Sequence, residues 1–410
     1  MDAKPRGADW RSILLVIFAL TGAVFAISSA IGIFVFMAVN RSALTQFNAP
    51  TLTTVLTAST LLAIGLLLLP VAWLSLQRLR GSDFDSFSLP PLHRWEWIAI
   101  PGLWLIVLTL ATLYHDAPGA LWYVPFLHFF SIALPLYFVI RVALNRITLG
   151  TSQRAWGVFG VGMTLGPSLA VIAEVAMLLL GILVIAVYIG LNPEKMAEIE
   201  RLVNQIERAP DIDTLIYQVG PLLKNPLTLF AGLAFLSFLV PIIEETTKSL
   251  AVWLVAKQIQ SPAPGFALGA LSGAGFALAE SLSASLTADE SWALTLSMRA
   301  ISGSMHMLAS GLVGWGIAWA SLEKRYFRFI GMMLLAILLH AVWNAGAVFS
   351  VWGGLRVMLA MPGVDVLGAV LAAGGMGLLF FLMAGMFAAF FILNRRFRAN
   401  APVPSSPTDQ

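Results

Sequence analysis

Uninterrupted apolar stretches of at least about 18 residues recur from one end of this 410-residue chain to the other. At about 1.5 Å per residue, a helix of that length crosses the roughly 30 Å hydrocarbon core of a bilayer. Backbone polar groups in lipid must pair within their own segment, so we expect these stretches to be helices. The chain is 59% apolar and only 11% charged, whereas soluble domains carry about 25% charged residues. The sequence therefore predicts an all-α polytopic integral membrane protein and excludes a soluble domain.

About ten transmembrane helices are predicted from these stretches. The first apolar run is longer than the core of a cleavable signal peptide, so we interpret it as a membrane anchor. The chain contains no cysteine, which excludes disulfides, thiolate metal ligands and a cysteine nucleophile. The predicted spans are 12–39, 52–76, 96–114, 123–143, 157–190, 227–256, 265–287, 292–320, 329–352 and 366–393.

The distribution of lysine and arginine predicts the orientation of the chain. With the N-terminus in the cytoplasm, 16 of the 24 Lys and Arg residues fall on the cytoplasmic side and six on the outer side. This bias agrees with the positive-inside rule. Both termini are therefore predicted to be cytoplasmic.

We divide the chain into five regions. Residues 1–190 form an N-terminal block of about five transmembrane helices whose role is unknown, and 191–226 form an outer loop. Apolar residues at helical spacing in that loop predict an amphipathic helix near the outer membrane face. Residues 227–352 contain the polar helices described next, 353–393 the last transmembrane helix, and 394–410 a tail predicted to be disordered.

Ionisable residues within the predicted spans are concentrated in the C-terminal half of the chain. They are Glu244, Glu245, Lys248, Glu280, Arg299, His306 and His340. Each costs about 2.5–3.5 kcal/mol at the bilayer centre on insertion scales, so such residues are candidates for a functional site. Counting the rise per residue along alternating spans places Glu244, Glu280, His306, His340 and Asn344 at a similar depth, about 17–23 Å from the cytoplasmic ends. We therefore predict one buried polar site.

Spacing along the helices supports this prediction. Glu244 and Lys248 are four residues apart, as are His340 and Asn344, so each pair lies on one helix face. Lys248 is either a charge partner within the site or a side chain that extends to the cytoplasmic interface. Arg299 is interpreted as an anchor at the outer interface.

Four motifs follow one another on successive predicted spans. They are EExxK at Glu244, Glu245 and Lys248, FxxxE at Phe276 and Glu280, a helix histidine at His306 in SMHMLASG, and HxxxN at His340 and Asn344. In this order they resemble the PrsW family of intramembrane endopeptidases, which is distantly similar to the CAAX prenyl proteases. The resemblance covers about residues 230–350.

The resemblance implies hydrolysis of peptide bonds in membrane-anchored proteins, within or beside the bilayer. Glu244 or Glu245 would be the general base that activates water. Glu280 and His306 would position the water or the substrate carbonyl. Lys248 would be the charge partner of the two glutamates. A bacterial cytoplasmic membrane is the implied location.

The resemblance also bears on the oxyanion and on a metal. His340 with Asn344 would form an oxyanion hole, since an imidazole and an amide are suitable donors in a dry site. Zinc use stays open: Glu280, His306 and His340 are the predicted ligands if a metal is present, but the HExxH signature of zinc proteases is missing. Hydrolysis by a glutamate general base and hydrolysis with a bound metal therefore both remain open.

The main alternative function is an ion- or proton-coupled transporter that uses the same carboxylates and histidines as a relay. The polar residues are confined to one half of the chain, which favours an enzyme. A catalytically inactive membrane scaffold is a third alternative. The expected partners are a membrane-anchored protein substrate and the lipid bilayer, with no nucleic acid.

Overall fold

The computed structural model describes residues 10–40, 49–208, 211, 214, 218, 220–222, 224–287, 292–360 and 363–399. Its helices are α1 (Trp10–Val39), α2 (Ala49–Leu79), α3 (Glu96–Tyr114), α4 (Ala120–Ala143), α5 (Ser152–Gly190), α6 (Pro193–Glu207), α7 (Pro226–Ala234), α8 (Val240–Val255), α9 (Pro262–Ala284), α10 (Trp292–Glu323), α11 (Tyr326–Met358) and α12 (Val366–Ala399). A π-helical turn, Phe235–Leu239, joins α7 to α8, and a 3-10 turn, Ala256–Gln258, follows α8. Two short strands, β1 (Ser86–Ser88) and β2 (Thr148–Thr151), pair antiparallel.

Within the described residues, nine helical segments are long and apolar enough to cross a membrane. They include α1 to α5, the joined segment Pro226–Gln258, α9, α11 and α12. This confirms the prediction of an all-α polytopic membrane protein. The orientation of the termini stays a prediction, and the tail after residue 399 lies outside the described residues.

The span predicted at 292–320 forms a helix, α10, but its composition is less apolar than that of the other spans. It carries Arg299 and His306 together with many Ser and Gly residues. Almost every residue between Ser302 and Ala318 is buried in the protein. A helix that is surrounded by protein does not need a lipid-compatible surface, which explains why hydropathy alone marks α10 weakly.

The chain forms two compact units. Unit 1 comprises residues 1–167, 248–336 and 386–410, and unit 2 comprises 168–247 and 337–385. The helices α5, α8, α11 and α12 each contribute residues to both. Each unit is described separately below.

Close packing between α9 and α10 organises unit 1. A Cβ placed on Gly269 would overlap the carbonyl oxygen of Ser310, and one on Gly273 would overlap the carbonyl oxygen of His306. Glycine at these positions lets the two helix backbones approach closely, as small residues do in membrane helix pairs. This contact fixes the position of the turn of α10 that carries His306.

A buried ion pair lies at one end of the same unit. The Arg141 guanidinium, in the last turn of α4, donates to both carboxylate oxygens of Glu96 at 2.9 and 2.8 Å. It also donates to the carbonyls of Pro90 and Pro91 at 3.0 and 3.1 Å. Both side chains are nearly inaccessible to solvent, with exposed fractions of 4% and 7%. Because the guanidinium satisfies the carboxylate and two carbonyls together, it links α4 to α3 and to the segment before α3.

In unit 2, polar contacts link α11 to its neighbours. Arg356, in the last turn of α11, forms an ion pair with Asp365 at 2.8 Å and donates to the carbonyl of Lys224 at 3.2 Å. Asp365 also accepts a hydrogen bond from the backbone N–H of Gly368 at 2.8 Å. A carboxylate next to the N-terminus of α12 interacts favourably with the helix dipole. These contacts hold the ends of α11 and α12 together.

Candidate catalytic residues

Two buried glutamates and one histidine meet in unit 2. Glu244 and Glu245 lie on α8, with exposed fractions of 6% and 0%, and His340 lies on α11, with 1%. The Nδ1 atom of His340 is 2.9 Å from Oε1 of Glu245, and its Nε2 atom is 3.8 Å from Oε2 of Glu244. One imidazole therefore contacts both carboxylates of the predicted pair.

Asn344 lies one turn after His340 on α11 and binds the backbone before α8. Its Nδ2 atom donates to the carbonyl oxygen of Leu236 at 2.7 Å. Leu236 belongs to the π-helical turn, in which Val240 N–H bonds to the residue five positions earlier. The N–H that would reach Leu236 in the same pattern belongs to position 241, which is Pro241 and has no N–H. The Asn344 amide thus satisfies a carbonyl that the π-turn and proline leave open.

A chain of four polar side chains lies in unit 1. The Nζ atom of Lys248 is 2.7 Å from Nδ1 of His306. The Nε2 atom of His306 is 2.9 Å from Oε2 of Glu280, and Nη1 of Arg299 donates to Oε1 of Glu280 at 2.7 Å. An ammonium group can only donate, so Nδ1 of His306 accepts and Nε2 carries the proton that faces Glu280. The imidazole thus connects a cation to a carboxylate.

The ring of Phe276 packs against two members of this chain, Lys248 and His306. The Lys248 ammonium lies over its ring at 4.2 Å from the centroid, and its ring lies 5.5 Å from that of His306. A cation over an aromatic face gains electrostatic stabilisation when both are desolvated. Lys248 is fully buried, so its side chain does not extend to an aqueous interface. Phe276 therefore packs against both Lys248 and His306.

Each predicted site residue belongs to one of these two sets. Glu244, Glu245, His340 and Asn344 form the set in unit 2, whereas Lys248, Glu280 and His306 belong to the set in unit 1. The helix α8 carries members of both, because Lys248 follows Glu245 by three positions. That all seven residues act in one pocket stays a prediction from the sequence.

The sequence does not reveal the ion-pair partner of Arg299. Arg299 was interpreted as an interfacial anchor, and its guanidinium binds Glu280. The sequence does indicate that Arg299 lies on the same face of α10 as His306, because it precedes His306 by seven residues, or about two helical turns. Its partner on α9 could be identified only from the packing of the two helices.

A buried serine and histidine in unit 1 do not form a nucleophilic pair. Nε2 of His128 lies 2.7 Å from Oγ of Ser285, and that hydroxyl donates to the carbonyl of Ser281 at 2.6 Å. The imidazole must then donate to the serine oxygen, which is the reverse of what activation of a serine requires. These two residues therefore serve helix packing.

The donor set in unit 2 fits a metal ion. Ligand atoms of Glu244, Glu245 and His340 lie within 4.8 Å of one another. Carboxylate oxygens and an imidazole nitrogen are common zinc ligands, and three protein ligands leave a position for water. The ligand set predicted from the sequence, Glu280, His306 and His340, includes His340 from this group and stays a prediction.

A family comparison agrees with the motifs. A model of the PrsW family of intramembrane metalloproteases matches residues 154–373, which is more than half of the 410-residue chain. The match is wider than the stretch 230–350 that carries the motifs, and it includes the fifth predicted span. Searches among curated proteins and among solved structures find no match. The chain therefore belongs to the PrsW family of intramembrane metalloproteases.

Proposed function

We propose that this protein is an intramembrane endopeptidase that hydrolyses peptide bonds of membrane-anchored proteins in a bacterial cytoplasmic membrane. The observation that carries the proposal is the buried pair Glu244 and Glu245, whose carboxylate oxygens lie 3.8 and 2.9 Å, respectively, from the imidazole of His340. Buried ionisable side chains in membrane helices are costly and mark functional sites. Family membership supports the peptidase class.

The two glutamates have different surroundings, which supports a division of roles. Glu245 is fully buried and forms the shorter contact with His340. Glu244 keeps 6% of its surface exposed and lies 3.8 Å from the same ring. We assign Glu244 as the general base, because its carboxylate is the more accessible of the two, and Glu245 as the group that orients His340.

The same three residues would hold a metal if the enzyme uses one. A zinc ion bound by Glu244, Glu245 and His340 would lower the pKa of a bound water and polarise the substrate carbonyl. The protein itself provides the buried, largely apolar surroundings in which such charges act strongly. Metal-dependent and purely glutamic versions of the proposal share the same residues.

Lys248, His306, Glu280 and Arg299 are assigned supporting roles in the reaction. His306 has a fixed proton position between the Lys248 ammonium and the Glu280 carboxylate, so it is suited to position water or the substrate carbonyl. Arg299 holds Glu280 through a 2.7 Å ion pair. Arg299 is therefore a positioning residue in this proposal.

The test is cleavage of single-span peptides by the purified protein in nanodiscs. We expect wild type to cleave at least one member of a varied panel, and Glu244→Gln and Glu245→Gln each to lose about 100-fold or more, as is typical when acid–base groups are removed. Glu174→Gln is the matched control, because Glu174 is also a glutamate within a membrane helix of unit 2 but lies outside the motifs. The Glu174→Gln variant should cleave the peptides at a rate near that of wild type.

Two further measurements complete this experiment. Loss of cleavage on treatment with a chelator, restored by zinc, would establish the metal-dependent version, and metal content should then fall in His340→Ala. Cleavage that persists in both glutamine variants would refute the proposal. Ion flux in proteoliposomes that depends on Glu244 and Glu245, without any cleavage, would instead support the transporter alternative.

A further inference from the structure

An amphipathic groove in unit 1, separate from the motif residues, has no role in the proposed reaction. It has a volume of about 580 Å³ and is lined by residues of α1, α2, β2, α5, α8 and the turn after α8. We define it by Arg11, Arg78 and Arg154 at one end and by Leu14 and Val161 further along. Sites for small ligands occupy about 300–1,000 Å³, so the groove is large enough for part of a lipid.

The end of the groove that is lined by Arg11, Arg78 and Arg154 is cationic. Its lining includes three arginines and no aspartate or glutamate. Arg78 pairs with Asp83 at 2.7 Å, outside the lining. Arg154 donates to the side-chain oxygen and the backbone carbonyl of Gln258, at 3.0 and 3.1 Å, and neither of these neutral oxygens compensates its charge. Arg154 therefore brings a positive charge to this end of the groove that the acceptors on Gln258 do not offset.

The three arginines lie near the ends of three different helices. Arg11 is in the first turn of α1, Arg78 is in the last turn of α2, and Arg154 is in the first turn of α5. The orientation predicted from the positive-inside rule puts all three helix ends at the cytoplasmic side. A headgroup bound there would lie at the depth of lipid headgroups, where basic pockets between helices recognise anionic lipids.

The remainder of the groove is apolar and faces outward. Leu14 and Phe18 lie one and two turns beyond Arg11 on α1, and Val158 and Val161 continue the wall on α5. Leu14 is 54% exposed, which in a membrane protein means contact with lipid. The groove thus combines a cationic end with an apolar channel about 10 Å long.

We propose that this groove binds one anionic phospholipid, with its phosphate on Arg11 and Arg154 and an acyl chain along Leu14 and Val161. Arginine suits the phosphate because its planar guanidinium can donate two parallel hydrogen bonds. A zwitterionic lipid offers the same chain but brings a positive group towards the arginines. The proposal is independent of the peptidase activity.

The experiment uses the full-length protein in detergent with two probes that have the same acyl chains, phosphatidylglycerol and phosphatidylcholine. Native mass spectrometry measures how many lipids each chain retains. We expect wild type to retain one phosphatidylglycerol, with a preference over phosphatidylcholine of about fivefold per arginine engaged. Equal retention of the two lipids would overturn the proposal.

Two substitutions test the location. Arg11→Gln removes charge from the headgroup end, and Leu14→Trp fills the apolar channel; both should lower retention of phosphatidylglycerol by about fivefold or more. The matched controls are Arg328→Gln, an exposed arginine on α11 outside the groove, and Leu20→Trp, a 41% exposed leucine on α1 that does not line it. Controls that lose as much lipid as the groove variants would refute the assignment to this groove.

A thermal unfolding measurement without lipid separates binding from folding. Leu14 is exposed and Arg11 is half-buried, and neither belongs to the buried core of unit 1, so both variants should unfold near the wild-type temperature. Added phosphatidylglycerol should raise the unfolding temperature of wild type more than that of either variant, because a ligand stabilises the state that binds it. An equal rise in wild type and both variants would contradict the proposal.

Discussion

Asn344 has two candidate roles, a hydrogen bond that stabilises the fold and the predicted oxyanion contact, and substitutions can distinguish them. Its amide donates to the carbonyl of Leu236 at 2.7 Å, a group that Pro241 cannot serve because it has no N–H. Removing this hydrogen bond in Asn344→Ala should cost about 1 kcal/mol of unfolding free energy, and up to about 3 kcal/mol if the carbonyl stays dry. Pro241→Ala restores an N–H that can reach the same carbonyl.

The two substitutions should therefore be coupled. If Asn344 acts through Leu236, the double variant Pro241→Ala/Asn344→Ala should regain most of the stability and activity lost in Asn344→Ala. The coupling energy in the double-mutant cycle should be about 0.5–1 kcal/mol or more. Because the cycle compares each single change with the double change, it removes the general gain from replacing a proline in a helix.

An oxyanion role predicts a different result. Removing an oxyanion donor lowers kcat by about 100- to 1,000-fold, and an N–H on residue 241 could not restore it. The assay is peptide cleavage in nanodiscs, with unfolding in detergent measured on the same samples. Asn204→Ala is the control, since its amide bonds to the Glu200 carbonyl on the exposed helix α6. Absence of any coupling would refute our account of the π-turn.

Three further changes test other parts of the fold. Arg141→Met should lower the unfolding free energy by about 3–5 kcal/mol, because it leaves Glu96 as a buried, uncompensated carboxylate; denaturant titration measures this. Gly273→Val should lower the unfolding temperature and the yield of folded protein, because its side chain would overlap the backbone of α10. The Gly368 N–H and Arg356 hold the pKa of Asp365 below its ordinary value. The ionised carboxylate therefore stabilises the fold above about pH 4, and this stabilisation is lost as the pH falls through the lowered pKa. Thermal unfolding measured from pH 7 to pH 3 should show the loss.

Each of these predictions has a control or a contrary outcome. A double variant Arg141→Met/Glu96→Leu should lose less stability than Arg141→Met alone, because no charge is left buried. Gly331→Val should be tolerated, since a Cβ there meets no atom within 4 Å. An unchanged acid dependence in Asp365→Asn would show that the ion pair with Arg356 does not contribute.

The sequence predicted the helices well because membrane insertion requires long apolar runs, and this requirement is visible in each segment alone. It predicted 227–256 as one continuous span, whereas the structure interrupts it with the π-turn at Phe235–Leu239. That irregularity depends on Pro241 together with a donor from α11, a partner that lies 108 positions from Leu236. The β1–β2 pair was also missed, because such short polar strands carry no alternating pattern.

The site was predictable to the level of residues but not of partners. Motif spacing identified Glu244, Glu245 and His340, and the structure brings them into contact. Arg299 was interpreted as an interfacial anchor, because it is a cation near the predicted end of a span, and the sequence did not reveal its ion pair with Glu280. Its pairing with Glu280 depends on the rotation of α10 against α9, which glycine contacts set and hydropathy does not reveal.

The charge of the two buried glutamates bears on whether the enzyme is glutamic or metal-dependent. Two buried carboxylates near one another cannot both remain ionised without a compensating positive charge. Lys248 follows Glu244 by one helical turn on α8 and is predicted from the sequence to supply part of it, while its Nζ atom lies 2.7 Å from His306. In the metal-dependent enzyme, a divalent cation bound by Glu244, Glu245 and His340 would supply the rest. Only the cation makes cleavage sensitive to a chelator at constant pH, so chelation followed by return of zinc separates a metal-dependent enzyme from a glutamic one in one preparation.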